Sequence, residues 1–196
     1  MTKRKRRKMI KGFDCSDNND INWQTISPDF KFVIIKKSEG GTFTAKTYAY
    51  RSGYLPKTDL VWGDYHFMKP GVSVQAQLDN YFNGRVANSL PPILDAEVDG
   101  ITPEMVTEWL TAAQEKTGRK PILYCDPSFY KDNLKGTQFD CYYWIAAWQP
   151  EPPHIPWTLW QFSQFGDQQG VAHGSSTGGD LDLDYFNGTV EQLAAL

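Results

Sequence analysis

The amino-acid sequence predicts a single α/β domain folded as an eight-stranded barrel. Its 196 residues are enough for one domain with a large core and too few for two domains of ordinary size. Over most of the chain, apolar segments of strand length alternate with amphipathic segments of helix length, which is typical of parallel strands joined by right-handed crossovers. Past residue 140 the strand-like segments continue without helices between them. A doubly wound open sheet is the alternative.

The predicted strands are short apolar runs bounded by Gly, Pro or polar residues. They lie at Gly12–Ser16, Phe32–Ser38, Leu60–Met68, Pro92–Glu97, Pro121–Cys125, Tyr142–Trp148, Trp157–Ser163 and Leu181–Tyr185. Helices are predicted over Thr44–Tyr54 and Val74–Phe82, after Pro127, and over Thr189–Leu196. The clearest helix begins after Thr102, a natural N-cap followed by Pro103, and ends at Gly118.

Charge is distributed unevenly along the chain. Residues 1–11 contain seven of the 20 Lys and Arg and no acid, which leaves 13 bases against 23 acids in the remainder. So acidic a body argues against nucleic acid as a partner, because nucleic acids are bound by clustered Lys and Arg. We therefore expect residues 1–11 to be a basic, disordered tail and residues 12–196 to form the domain.

Several classes of protein are excluded by what the sequence lacks. No apolar run is long enough for a transmembrane helix, and no apolar stretch of signal-peptide length follows the basic segment. An odd number of cysteines without a CxxC spacing favours free thiols over a disulfide, which would need an oxidising compartment. They are Cys15, Cys125 and Cys141. The histidines show no metal-binding spacing, so no metal or cofactor is predicted, and His66 is expected to be a hydrogen-bonded interior residue.

Acids and aromatic residues gather at the predicted strand ends, where a barrel carries its active site. Asp95 and Glu97 occupy alternate positions of the fourth strand and so share a face, with Cα atoms about 6.6 Å apart. Each carboxylate disfavours ionisation of the other, so one can hold a proton near neutral pH, as cleavage of a glycosidic bond requires. A pair of solvated acids is the alternative interpretation, against which the preceding apolar run Pro91–Leu94 argues.

A series of motifs in residues 12–188 resembles glycoside hydrolase family 25, the Chalaropsis-type lysozymes or N-acetylmuramidases. The motifs are Gly12-Phe13-Asp14-Cys15-Ser16, Asn22-Trp23, Lys36-Lys37-Ser38-Glu39-Gly40, Tyr65-His66-Phe67 with Pro70, Pro91-Pro92-Ile93-Leu94-Asp95-Ala96-Glu97, Gly118-Arg119-Lys120-Pro121 with Tyr124, Trp144-Ile145-Ala146, Trp157 through Trp160-Gln161-Phe162-Ser163, and Asp182-Leu183 with Tyr185-Phe186-Asn187-Gly188. The resemblance implies an irregular TIM-like (β/α)5(β)3 barrel. It also implies hydrolysis of the β-1,4 bond between N-acetylmuramic acid and N-acetylglucosamine in bacterial peptidoglycan.

The resemblance also implies roles for individual residues. Glu97 corresponds to the general acid/base, and Asp95 to the partner carboxylate that steers the substrate's own N-acetyl group toward the anomeric carbon, with retention. Further acids of the cleft are Asp14 and Asp182, and the implied substrate-binding residues are Tyr65, Trp144, Glu39, Gln161 and Tyr124. Asp184 stands where the family usually has Asn, which leaves open whether Asp180, Asp182 or Asp184 faces the cleft; the spacing of the closing motif favours Asp182.

Family members are secreted enzymes or phage endolysins. The missing signal peptide and the unpaired thiols favour an endolysin, made in the cytoplasm and released to the cell wall through a holin. Its basic tail is then expected to contact anionic wall polymers or lipopolysaccharide, and the enzyme to be a monomer without a cofactor. A chitin-type amino-sugar hydrolase and a non-catalytic peptidoglycan-binding module remain the alternatives.

Overall fold

In the computed structural model, which describes residues 9–173 and 180–196, eight strands form a closed ring. The ring strands are β1 (Ile10–Cys15), β2 (Phe30–Glu39), β4 (Val61–Phe67), β5 (Ile93–Asp95), β6 (Ile122–Cys125), β7 (Tyr142–Ala146), β8 (Leu159–Gly166) and β9 (Leu181–Phe186). The two-residue strand β3 (Phe43–Thr44) pairs with the end of β2 outside the ring. The ring closes because β1 pairs with both β2 and β9. The barrel prediction is confirmed, and the open-sheet alternative is wrong.

Five helices accompany the strands in the described residues. They are α1 (Tyr48–Tyr54), α2 (Val74–Phe82), α3 (Pro103–Thr117), α4 (Pro127–Asp132) and α5 (Val190–Ala194), with a 3-10 turn at Leu55–Lys57. The Thr102 side chain accepts a hydrogen bond from the amide of Met105, and Gly118 ends α3 in the left-handed conformation, so both predicted ends are confirmed. As expected, no helix forms in the described parts of the connections between β7, β8 and β9. Helix α1 starts four residues later than predicted, because Phe43 and Thr44 pair with β2 instead.

Strand β9 departs from the all-parallel arrangement that the alternating pattern predicts. It runs antiparallel to β1 and to β8, whereas the other ring pairs are parallel. A parallel pair needs a long crossover, usually helical, and the connection before β9 shows no helix in its described residues. The reversal brings the beginning of β9, not its end, to the rim where the parallel strands end, and places Asp182 opposite Asp14.

The barrel interior is apolar at the amino ends of its parallel strands. Residues packed there include Phe32, Ile34, Val61, Leu90, Ile93, Ile122, Leu159, Phe186 and Leu193. Leu90 enters the barrel beside Gly63, where a Cβ atom would lie only 2.7 Å from the Leu90 Cβ atom. Outside the barrel, α2 and α3 cover the wall around a buried cluster that includes Tyr81 and Trp109. This packing leaves the opposite rim as the place where polar side chains enter the barrel.

The first strand begins two residues earlier than predicted. Ile10 pairs with Phe186, and the Lys11 ammonium donates a hydrogen bond to the Gly170 carbonyl at 2.9 Å. These two residues, which the sequence analysis assigned to the tail, therefore form part of the barrel. Residues 1–8 of that predicted tail lie outside the described residues. Among the described residues, no helix has the length and apolar character needed to cross a bilayer.

Candidate active site

The two carboxylates of the fourth predicted strand lie at the rim of the barrel. Asp95 ends β5 and is 6% exposed, whereas Glu97 follows two residues later and is exposed to solvent. The strand is shorter than predicted, but the Ala96 amide still donates to the Tyr124 carbonyl at 3.0 Å, which keeps the chain extended. Leu94 and Ala96 pack outward, so alternation turns Asp95 and Glu97 toward the barrel mouth.

Burial and mutual repulsion favour the protonated form of this pair. Desolvation raises the pKa of Asp95 well above its usual range, and the negative charge of Glu97 raises it further. Desolvation also raises the pKa of Glu97, with a second contribution from Asp126, while Lys36 acts in the opposite direction on both acids. The Asp95 Oδ1 atom is buried, and no donor among the described residues reaches it. The mouth therefore combines an exposed acid with a buried carboxylate oxygen that lacks a partner.

Lys36, for which no role was predicted, is a cation whose charge lowers the pKa of both Asp95 and Glu97. Its ammonium lies 2.6 Å from one oxygen of Glu39, and the Lys69 ammonium lies 3.1 Å from the other. It also stands over the Phe67 ring, 4.7 Å from the centroid. Although partial burial acts the other way, hydrogen bonds from Lys36 and Lys69 lower the pKa of Glu39. Glu39 therefore acts here as an anionic anchor for Lys36.

Gln161 organises a hydrogen-bonded group on the other side of the mouth. Its Nε2 donates to Asp14 Oδ2 at 2.7 Å. Its Oε1 accepts from the Tyr124 hydroxyl at 3.0 Å and from Trp148 Nε1 at 3.1 Å. Asp14, Tyr124 and Gln161 are buried, whereas Trp148 is 55% exposed and leaves much of its ring open to solvent. Trp148 ends a predicted strand, but its place in the site could not be predicted, because nothing in the sequence shows that Gln161 fixes its orientation.

The two acids of β9 and the acid just before it differ in their exposure to solvent. Asp180 is exposed, Asp182 is partly exposed, and Asp184 is wholly buried. Asp182 lies opposite Asp14 in the ladder; desolvation, and then the charges of Glu97 and Asp180, raise its pKa to about 7. The Asp184 Oδ1 atom accepts from Trp144 Nε1 at 2.8 Å, beneath the other acids. Asp182 is therefore the partly exposed acid of this set, and the charge of Glu97 raises its pKa.

Aromatic rings form the floor beneath the acids. Tyr65 and Tyr124 are each 8% exposed and Trp144 is 2% exposed. The Trp144 ring meets Tyr124 edge-on at a centroid distance of 4.6 Å and Tyr65 at 6.4 Å. The sugar contacts implied for Tyr65 and Trp144 stay predictions, and this placement favours support of the site from below. The Trp148 ring, 55% exposed, keeps an open face in this region.

His66 belongs to the barrel wall outside the mouth. Its Nδ1 lies 2.8 Å from the Ser38 hydroxyl and its Nε2 lies 3.2 Å from Gln77 Oε1. Burial lowers its pKa to about 4, so the ring is neutral near pH 7. The prediction of a hydrogen-bonded interior histidine is confirmed. In the described ranges, no group of three or more His, Cys, Asp or Glu side chains is arranged to hold a metal ion.

The cysteines lie apart from the mouth chemistry. Cys15, Cys125 and Cys141 are free, buried thiols. Desolvation raises the pKa of Cys15 and of Cys141 to about 12, and raises that of Cys125 as well. A thiolate is the nucleophilic form of cysteine, so none of the three is primed for covalent catalysis.

Comparisons with known proteins bear on the family and the fold of this chain. The model of the family described as "Glycosyl hydrolases family 25" matches residues 13–171. The uncharacterized protein YegX of Escherichia coli (strain K12) is 30% identical over 95% of this chain and 72% of its own length. The N,O-diacetylmuramidase of Arthroderma benhamiae is 29% identical over 94% of this chain and 85% of its own length. The crystal structure of the bacterial lysozyme from Streptomyces coelicolor superposes with a TM-score of 0.82 at 26% identity, covering 95% of this chain and 96% of that one.

Proposed function

The chain belongs to the glycosyl hydrolases of family 25, and we propose that it cleaves the β-1,4 bond between N-acetylmuramic acid and N-acetylglucosamine in bacterial peptidoglycan. It is a lysozyme-type glycoside hydrolase with Glu97 as general acid/base and Asp95 as partner carboxylate. The observation that carries the assignment is the pairing of these acids at the barrel mouth, with Asp95 Oδ1 buried and without a donor in the described part of the chain.

The unpartnered oxygen supports a mechanism in which the substrate takes part. A buried acceptor without a donor is unfavourable, and an N-acetyl N–H group would supply the missing hydrogen bond. That bond stabilises the ionised form of Asp95, so substrate binding lowers the pKa of Asp95 and leaves the shared proton on Glu97. Lys36, which favours the charged forms of both acids, assists the same redistribution.

In the first chemical step, the Glu97 carboxyl donates its proton to the glycosidic oxygen while the bond from that oxygen to the anomeric carbon breaks. The carbonyl oxygen of the substrate's N-acetyl group bonds to the anomeric carbon from the opposite face. The resulting ring carries a positive charge next to the N–H, and ionised Asp95 stabilises that charge. The sugar beyond the cleaved bond leaves as an alcohol.

In the second step, water attacks the anomeric carbon from the face that the leaving sugar vacated. Glu97, now a carboxylate, takes a proton from that water, and the bond from the anomeric carbon to the acetyl oxygen breaks. Two inversions give net retention, and both carboxyl groups return to their starting states. Asp182 lies at the mouth beside this pair with Asp14 beneath it, and the open Trp148 ring offers a face for a sugar's apolar C–H groups.

The test of the reaction is mass spectrometry of peptidoglycan digested by the enzyme and then reduced with borohydride. A muramidase leaves reduced muramic acid at the new ends, whereas cleavage of the neighbouring bond leaves reduced glucosamine. Chitin oligomers serve as the matched substrate without the lactyl group, and we expect them to remain nearly intact. Efficient cleavage of chitin oligomers would favour the chitin-type alternative, and absence of new reducing ends would contradict hydrolysis.

The test of the mechanism uses peptidoglycan from which the acetyl groups of muramic acid have been removed. Without the acetyl carbonyl there is no internal nucleophile, so we expect the rate of cleavage at those residues to collapse. Removing acetyl groups only from glucosamine is the control and should have a much smaller effect. Equal rates on both substrates would contradict substrate assistance while leaving the lysozyme assignment intact.

The place of action follows from the substrate class, which puts the enzyme at the bacterial cell wall. The proposal also includes the route to the wall: the enzyme is made in the cytoplasm and released through a holin. It further includes a monomeric state and contact of the basic segment with anionic wall polymers or lipopolysaccharide. Expression in a susceptible bacterium with and without a holin tests the route of release. Lysis that is equally fast without the holin would contradict it.

A further inference from the structure

Two carboxyl groups meet inside the barrel directly beneath the mouth. Asp14 on β1 and Asp184 on β9 are 5% and 0% exposed, and their side chains are in hydrogen-bonding contact. The contact follows from the register, since Gly12 lies opposite Asp184 and Asp14 lies opposite Asp182, so residues 14 and 184 are diagonal neighbours on the inner face.

The donors that surround these carboxyl groups do not satisfy both of them. Asp184 Oδ1 accepts from Trp144 Nε1 and Asp14 Oδ2 accepts from Gln161 Nε2. Asp184 Oδ2 is buried and receives no hydrogen bond from the described residues. The titratable groups that act on the pair are Asp182, Tyr65 and Tyr124, and none of these is a cation. The Cys15 thiol packs on the outer side of β1, where the Arg51 guanidinium donates to its sulfur at 3.2 Å.

We propose that Asp14 and Asp184 share a single proton at neutral pH, with the Asp14 hydroxyl donating to Asp184 Oδ2. Two adjacent carboxylates in a desolvated interior, with no ion pair to a described residue, repel each other strongly, so one of them keeps its proton. A proton on Asp14 gives Asp184 Oδ2 the donor that it lacks, while Trp144 satisfies the other oxygen. Burial and the neighbouring acids raise the pKa of both groups, in agreement with a pair that titrates as a unit.

The shared proton gives Asp184 a positioning role in the site. Hydrogen bonds then run from Trp144 through Asp184 and Asp14 to Gln161, and Gln161 holds Tyr124 and the exposed Trp148. Ionisation of both acids would break the central link of this chain and add a charge beneath the mouth. Asp184 therefore acts through its neighbours and does not touch substrate. This role rests on the proposed hydrolase function, whereas the proton itself does not.

The pH dependence of the unfolding equilibrium constant gives the number of protons that the folded state holds in excess of the unfolded state. A folded state that holds one proton more than the unfolded state raises its unfolding constant tenfold for each pH unit. We would measure urea unfolding between pH 6 and 8 for Asp14→Asn, Asp184→Asn and the double variant, all in an Asp182→Asn background so that this neighbour does not titrate. Asp29→Asn, at an exposed acid near the start of β2, is the control.

The expected result is distinctive. Each single substitution removes the tenfold change per pH unit, the double variant removes no more than either single one, and the control changes nothing. Loss of one proton in each single variant and two in the double would show two independently protonated acids and overturn the proposal. No difference from the background would show two carboxylates and would also overturn it.

Infrared difference spectra between Asp184→Asn and the parent give a measurement that does not require unfolding. The difference spectrum at pH 7 should contain a carboxylic acid carbonyl band that the parent has and the variant lacks. Absence of such a band from the difference spectrum would contradict sharing. Because neither experiment uses substrate, a failure here leaves the lysozyme assignment untouched, and a failure of the peptidoglycan digest leaves the proton count untouched.

Discussion

Replacement of Asp182 by asparagine should stabilise the folded protein above pH 7 and have little effect on stability near pH 4. The folded-state pKa of this acid is raised to about 7, against 3.8 for the free group, by desolvation and by the charges of Glu97 and Asp180. Between these values the folded chain binds a proton that the unfolded chain releases. The stabilisation that depends on this proton is therefore complete below pH 4 and is lost as the pH rises through 7.

The size of the effect follows from the displacement of the pKa. About three pKa units at about 1.4 kcal/mol each set an upper limit of about 4 kcal/mol for the penalty of ionising Asp182 in the folded protein. Asp182 is partly exposed, so solvent screening reduces this figure, and we expect a gain of about 1–3 kcal/mol for Asp182→Asn at pH 8. For a domain of this size, that corresponds to a rise in melting temperature of roughly 2–12 °C.

The assay is urea and thermal unfolding of the parent and of Asp182→Asn at pH 4, 6 and 8. Asp29→Asn removes an exposed acid far from the mouth and controls for net charge. The difference between Asp182→Asn and the parent should grow from near zero at pH 4 to its full value at pH 8. A difference that stays constant with pH, or a variant that is less stable than the parent at pH 8, would refute the electrostatic reasoning.

Four other outcomes are expected. Glu97→Gln should keep the fold and lose roughly 10²–10⁴ in rate, because the amide has no proton to donate; wall lysis at the parent rate would contradict its role. Trp148→Ala should raise KM about three- to tenfold with a smaller change in kcat, and Trp148→Phe should recover most of the loss if the ring face binds sugar. Deleting residues 2–8 should slow lysis of walls at low salt, but not at high salt or on soluble muropeptides. All three cysteines should react with a thiol reagent only after unfolding, and rapid reaction of the native protein would contradict their burial.

Much of the fold could be predicted because its signals are local. Each of these signals depends on only a few neighbouring residues: the cap at Thr102, the helix end at Gly118 and the alternation of apolar segments. All of them are present in the structure. The direction of β9 could not be predicted in this way. A strand has the same apolar pattern in either direction, so its orientation depends on the length and path of the connection before it and on the pairing that closes the ring.

The acid pair was predictable for the same reason, since Asp95 and Glu97 lie two residues apart in one extended segment. The other parts of the site depend on contacts between distant strands. Lys36 acts on the pair from β2, and Trp148 is held by Gln161 across thirteen residues of chain. No local pattern carries these relations, because each requires the register of the closed barrel.

The reversal of β9 links the stability of the barrel to its chemistry. It brings Asp182 and Asp184 to the end of the barrel that already holds Asp14 and Asp95, and burial raises the pKa of all four acids. Ionising them disfavours the folded state, so the apolar packing at the other end of the barrel must offset that cost. It follows that Asp182→Asn should gain stability at alkaline pH, because it removes an acid whose ionisation the fold opposes.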